Sequence, residues 1–113
     1  MQTNPEGLLI ESGTATGVVE KASINVQAFR KIDKLVIFTL AFTANSTLAP
    51  DDVVFNLPWT PDTRYDFIGT VGTITPGVAC TFVANSTKQV KFNTGSITSG
   101  AITFVSGSYI TTD

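Results

Sequence analysis

The chain has 113 residues, a length that suits one domain with a single hydrophobic core. Only 14% of the residues are charged and the formal net charge is −2, so neither a basic nucleic-acid surface nor a polybasic membrane patch is expected. Histidine is absent and Cys80 is the single cysteine, which excludes histidine-based catalysis, histidine–metal sites, intrachain disulfides and cysteine-rich zinc sites.

Alternation of apolar and polar residues predicts β-strands along almost the whole chain. In chain order, the alternating runs cover residues 24–28, 35–44, 53–57, 67–74, 78–82, 90–92 and 102–104. Residues 1–17 are expected to form an extended entry segment. Clusters of Gly, Pro, Asn, Asp and Ser separate the runs, and no window has a helical stripe. This spacing predicts an all-β sandwich or barrel that occupies residues 1–113 as a single domain.

Two of these runs carry further information. At the end of the run 24–28, the phase of the alternation changes between Ala28 and Phe29, which predicts a bend or bulge there. The run 35–44 is apolar on both faces: one face carries Val36, Phe38, Leu40 and Phe42, and the other carries Leu35, Ile37, Thr39 and Ala41. A strand of this kind is expected to be covered, at least in part, on both sides.

Targeting and membrane segments are not predicted. The apolar run Leu8–Ile10 near the start follows no basic residue and is too short for a signal peptide. The longest apolar stretch, residues 35–44, contains two threonines and has about half the length of a membrane span. We expect a soluble domain, either by itself or as the end of a longer protein.

Residues that could perform catalysis form no recognisable set. Asp51 and Asp52 stand where a loop enters a strand, a position typical of solvated carboxylates. No Gly-x-Ser-x-Gly elbow occurs, and Cys80 lies in an alternating run as a small core residue. We expect a protein that is not an enzyme and has no cofactor or metal. A depolymerase would need two carboxyl groups facing each other across a groove, and the candidates are Glu11, Glu20, Asp33, Asp62 and Asp66.

A binding site is predicted in the segment that begins at Trp59. Within eight residues it holds an indole, a phenol, a guanidinium group and two carboxylates, from Trp59, Asp62, Arg64, Tyr65 and Asp66. Saccharides are bound by such mixtures, because their apolar ring faces stack on aromatic side chains while their hydroxyls take bidentate hydrogen bonds. In the alternative interpretation, the indole covers the core at a strand end and the charged side chains are solvated.

Five segments of the sequence resemble a known class of protein, and the first is an entry segment at residues 10–14, which reads Ile-Glu-Ser-Gly-Thr. Residues 29–36 join an aromatic residue, a basic pair and Ile-Asp to a Leu-Val strand, and residues 38–44 continue it into a small polar turn. Residues 53–59 form a strand that ends in Leu-Pro-Trp, and residues 107–113 read Gly-Ser-Tyr-Ile-Thr-Thr-Asp. In this order the segments resemble the C-terminal head, or receptor-binding domain, of bacteriophage tail fibres, tail spikes and baseplate proteins. Asp33 departs from the pattern, since glycine is commoner there.

The resemblance implies a jelly-roll-like antiparallel β-sandwich that assembles as a homotrimer at the tip of a phage tail. Such a head acts outside the cell, on the virion, and binds host cell-surface polysaccharide or other glycans without catalysis. Its further partners are other tail or baseplate proteins; binding to nucleic acid and insertion into membranes are not expected. Two alternatives remain, namely a structural virion module (a capsid decoration or fibre trimerisation domain) and a free β-sandwich lectin.

Overall fold

The alternating runs form antiparallel β-strands. The computed structural model describes residues 2–3, 9–62, 70–74, 78–84 and 87–113. Its strands are β1 (Gln2–Thr3), β2 (Leu9–Gly13), β3 (Thr16–Gly17), β4 (Ala22–Ile32), β5 (Leu35–Ala44), β6 (Val53–Asn56), β7 (Thr70–Ile74), β8 (Val78–Val83), β9 (Gln89–Thr94) and β10 (Ile102–Ile110). The described residues contain no helix, and hence none that is long and apolar enough to cross a membrane. The all-β prediction is confirmed.

The strands follow the order β1-β2-β4-β5-β10-β7-β8-β9-β6-β3, and every neighbouring pair is antiparallel. Although β2 and β3 lie near opposite ends of this order, only Thr14 and Ala15 separate them in the chain. The chain therefore bends from pairing with β4 to pairing with β6, which brings the two ends of the order together and protects edge strands. The result is two antiparallel layers packed face to face, as in a β-sandwich.

Aromatic side chains fill the space between the layers. Phe42 on β5 lies 6.5 Å from Phe55 on β6 and 6.1 Å from Phe82 on β8, measured between ring centroids. Phe29 and Phe38 stack at 4.8 Å on the β4–β5 pair. All five rings are buried, and each contributes about 1.5–3 kcal/mol to the free energy of folding. Cys80 is buried in the same core, as predicted.

The predicted irregularity in β4 exists, but at a different residue. The register with β5 shifts between Ile24 and Val26, so the extra residue is Asn25 and not one beside Ala28. Ile24 consequently packs against the core, opposite Phe42, whereas Val26 points outward, opposite Ala41. The phase change in the sequence does indicate a bulge, but the same change of phase results whichever of several residues is the extra one.

The two faces of β5 differ in cover. Its inner side chains (Val36, Phe38, Leu40 and Phe42) are buried in the core. On the outer face Ala41 is covered, while Ile37 remains 48% exposed and Leu35 39% exposed. Among the described residues, this second face is therefore covered only in part.

Candidate functional site

The loop of residues 57–62 is fastened along the end of β10. Pro61 forms a β-bridge with Thr111. The backbone N–H of Asp62 donates to the carbonyl oxygen of Ile110 at 2.9 Å, and the Thr111 hydroxyl donates to the carbonyl oxygen of Thr60 at 2.6 Å. Because these bonds fix the backbone on both sides, the side chains of the loop stand in defined positions beside the end of the sheet.

Trp59 is half-buried and packs against the core. The phenol of Tyr109 donates a hydrogen bond to the Trp59 carbonyl oxygen at 2.8 Å. Because burial raises the pKa of Tyr109 well above its usual value, the phenol stays protonated at neutral pH and keeps this bond. The indole lies close against Gly13, where an added Cβ would come within 2.7 Å of a ring carbon. Glycine at this position is thus required for the indole to reach its place.

Two lysines flank the indole and the last residues of the chain. Lys31 Nζ lies 5.5 Å from the centroid of the Trp59 ring, 3.5 Å from a Glu11 carboxylate oxygen and 3.0 Å from the main-chain oxygen of Asp113. Lys34 Nζ lies 3.2 Å from the same Asp113 oxygen. Lys31 is buried and paired with a carboxylate, whereas Lys34 is exposed on the β4–β5 turn. Lys34 is therefore the one of the two whose ammonium group can meet a ligand from solution.

A cleft of about 250 Å³ opens between this loop and the β4–β5 turn. Its lining residues are Lys34, Asp62, Ile110, Thr111 and Thr112. They bring an ammonium group, a carboxylate, hydroxyl groups and one aliphatic surface to a single small cavity. An aliphatic surface with a few convergent polar groups is the general chemistry of a small-molecule site, and the volume lies just below the usual range of ~300–1,000 Å³. We call this the β10-end cleft.

The predicted site residues do not all lie in this cleft. Asp62 lines it with only 5% of the residue exposed. Trp59 belongs to the loop that walls the cleft but is not among the lining residues. Arg64, Tyr65 and Asp66 lie outside the described residues. Of the four described carboxylates named as depolymerase candidates, Asp62 alone lines the cleft.

Sequence reasoning missed Lys34, Ile110, Thr111 and Thr112. The β4–β5 turn and the end of β10 are far apart in the chain, and Lys34 and Thr112 are 78 residues apart. They meet because β10 pairs with β5 along its whole length, from Ile102–Thr43 to Ile110–Leu35. No local motif marks such a meeting, and only the pairing of β5 with β10 could have indicated it.

The other charged groups of the described residues lie outside this site and form no metal centre. Within the part of the chain that the structure describes, no cluster of three or more metal-ligating side chains occurs. Asp52 lies elsewhere, where a hydrogen bond from the backbone of Ala49, together with the ion pair to Lys21, lowers its pKa.

No protein-family profile matches the sequence, and no curated protein is detectably similar to it.

Proposed function

We propose that this chain is the receptor-binding head of a bacteriophage tail fibre, tail spike or baseplate protein, and that it binds host cell-surface saccharide without catalysis. The sequence segments that resemble such heads support the phage assignment. The observation that carries saccharide binding is the β10-end cleft, in which hydroxyl, ammonium and carboxylate groups surround the aliphatic surface of Ile110. A sugar ring offers the matching surfaces, with apolar C–H faces and a rim of hydroxyls.

The small volume of the cleft determines how such a head would work. About 250 Å³ suits one sugar residue, so each contact is expected to be weak. A homotrimer of jelly-roll-like subunits at the tail tip would present the cleft three times. Several weak contacts to one polysaccharide can raise the overall affinity about 10²–10⁴-fold over a single contact.

Binding can be followed through Trp59, the single tryptophan of the chain, which belongs to the loop that walls the cleft. We would titrate the protein with neutral monosaccharides and host cell-wall oligosaccharides while recording its fluorescence and the heat of binding. Lys34→Ala and Thr112→Val each remove one hydrogen-bonding group and should weaken binding about 3–10-fold. Lys88→Ala, at an exposed lysine outside the cleft, is the matched control and should bind as the unmodified protein does.

Two results would reject this function. One is a chain that binds none of these sugars, and the other is equal binding by the Lys34→Ala and Lys88→Ala variants. Binding that Lys34→Ala weakens, together with release of the sugar unchanged, would support a non-catalytic receptor-binding head. A shortened oligosaccharide after incubation would instead favour a depolymerase.

A second candidate is a structural virion module, such as a capsid decoration or fibre trimerisation domain. It is favoured by the exposed apolar side chains on the outer face of the β4, β5 and β10 strands, because an uncovered apolar surface is typical of a protein that assembles. Stable assembly together with no response to any sugar would favour this candidate over the receptor-binding head.

A further inference from the structure

The outer surface of three adjacent strands is mostly apolar and is in part exposed to solvent. The register places outward side chains side by side, in the rows Val26–Ala41–Phe104, Ala28–Thr39–Ser106, Arg30–Ile37–Ser108 and Ile32–Leu35–Ile110. We call these twelve residues the β4–β5–β10 face. The most exposed apolar side chains on it are Val26 at 66%, Phe104 at 53% and Ile37 at 48%. Exposed apolar groups in one contiguous patch mark an interaction surface more often than single ones do.

The low charge of this face indicates which class of molecule could bind to it. Arg30 is its one charged residue, and a guanidinium nitrogen of Arg30 already donates to the carbonyl oxygen of Phe29 at 2.9 Å. Nucleic acids and anionic membranes are held by several cations, so neither fits. The expected occupant is a protein surface with equally few charges, and this chain, in which 14% of the residues are charged, has such a surface itself.

The face carries both an exposed aromatic side chain and a groove. A groove of about 320 Å³ is lined by Ala28, Arg30, Ile32, Ile37, Phe38 and Thr39. Phe104 and Val26 are exposed beyond one end of this groove, in the row that contains Ala41. Ala41 is four residues from Ile37 on β5, which corresponds to about 13 Å along the strand. A surface that holds an exposed aromatic side chain and an apolar groove side by side can pair with a copy of itself.

We propose that the β4–β5–β10 face binds a second copy of this chain, with Phe104 of one copy seated in the groove of the other. Arg30 at the groove would then lie over the incoming aromatic ring, where a guanidinium group is attracted to the ring face. This inference goes beyond the homotrimer of the proposed function, since it concerns the pairing of two copies, and it does not depend on saccharide binding. Three strands of seven residues have a footprint of about 300 Å² in projection, so the association is weak and depends on concentration.

Sedimentation equilibrium over a range of about 1 µM to 1 mM tests the proposal. The unmodified chain should increase in mass with concentration from 12.0 kDa towards a multiple of that value. Ile37→Lys and Phe104→Ser should each weaken association more than about tenfold, because one places a charge in the groove and the other removes the ring. Val19→Lys is the matched control: Val19 is 81% exposed and lies in the turn before β4, outside the face, so association should not change.

Thermal unfolding of each variant separates lost association from lost folding. A limit of two copies supports the proposal, provided that Ile37→Lys or Phe104→Ser, while still folded, reduces the mass and Val19→Lys does not. A limit of three copies overturns it, because a face that pairs with its own copy closes as a dimer. A chain that stays at 12.0 kDa throughout overturns the proposal, as does assembly that both face variants leave intact. Neither result bears on the sugar titration with Lys34→Ala, so failure here and failure of the proposed function are distinguishable.

Discussion

Replacing Thr103 with valine should stabilise the protein, because the Thr103 hydroxyl is buried and has no hydrogen-bond partner among the described residues. Thr103 lies on β10, opposite Phe42 on one side and Ile74 on the other, and no part of it is exposed. Its oxygen has no hydrogen-bond partner among the described residues. Leaving a buried hydroxyl unsatisfied costs about 1–3 kcal/mol, and valine has nearly the same shape with a methyl group in place of the hydroxyl.

The size of the effect on thermal unfolding follows from the length of the chain. Unfolding entropy of about 2.1 cal/mol/K per residue gives about 240 cal/mol/K for 113 residues, so each kcal/mol shifts Tm by about 4 °C. We expect Thr103→Val to raise Tm by about 4–8 °C, which corresponds to about 1–2 kcal/mol. Calorimetry and urea unfolding, followed by the fluorescence of Trp59, would each measure the change.

Thr111 provides the matched control, because it is a second buried threonine just beyond the same strand. It is 1% exposed, but its hydroxyl donates to the Thr60 carbonyl oxygen and accepts a hydrogen bond from the Asp113 backbone at 3.0 Å. Thr111→Val should therefore lower the stability by about 1–2 kcal/mol. If Thr103→Val lowers Tm as Thr111→Val does, the Thr103 hydroxyl is satisfied in solution and the reasoning is refuted.

Three further predictions concern backbone conformation, close packing and pH. Asp33 in the β4–β5 turn has a φ of +57°, a conformation that is strained for a β-branched residue and free of strain for glycine. Asp33→Val should therefore lower the free energy of unfolding in urea by about 1–2 kcal/mol, while Asp33→Gly should change it by less than about 1 kcal/mol. Equal losses in the two variants would contradict this. Gly13→Ala should cost about 1–3 kcal/mol and shift the emission of Trp59, since the new methyl group would displace the indole; unchanged emission would contradict this. Burial raises the pKa of Tyr109 above that of an unfolded tyrosine. Above about pH 10 the unfolded state therefore releases a proton that the folded state keeps, so the free energy of unfolding should fall as the pH rises. Tyr109→Phe should remove that dependence.

The sequence predicts the strands of this protein better than it predicts its surfaces. Alternation with a period of two identifies β5 and its inner residues because only one register buries Val36, Phe38, Leu40 and Phe42 together. It also shows that the outer side chains are apolar, but it carries no information on whether a second layer covers them. The departure at Asp33, where glycine is commoner in the resembling heads, coincides with a positive φ that glycine adopts without strain.

The candidate site could be predicted only in part, since its residues come from distant parts of the chain. Trp59 and Asp62 attract attention as a local mixture of aromatic and charged residues, and Asp62 does line the cleft. Lys34 and Thr112 have no local signature. Their proximity depends on the pairing of β5 with β10, and the same alternating pattern is compatible with several strand orders.

The β10-end cleft and the β4–β5–β10 face share one residue, and this links binding to assembly. Ile110 lines the cleft and also ends the row formed with Ile32 and Leu35 on the face. A second copy seated on the face would therefore lie beside the mouth of the cleft. If assembly only multiplies independent sites, the Ile37→Lys monomer should bind a monosaccharide as tightly as the assembled chain and lose affinity only for long polysaccharides. If the second copy completes the cleft wall, the monomer should lose affinity for the monosaccharide as well.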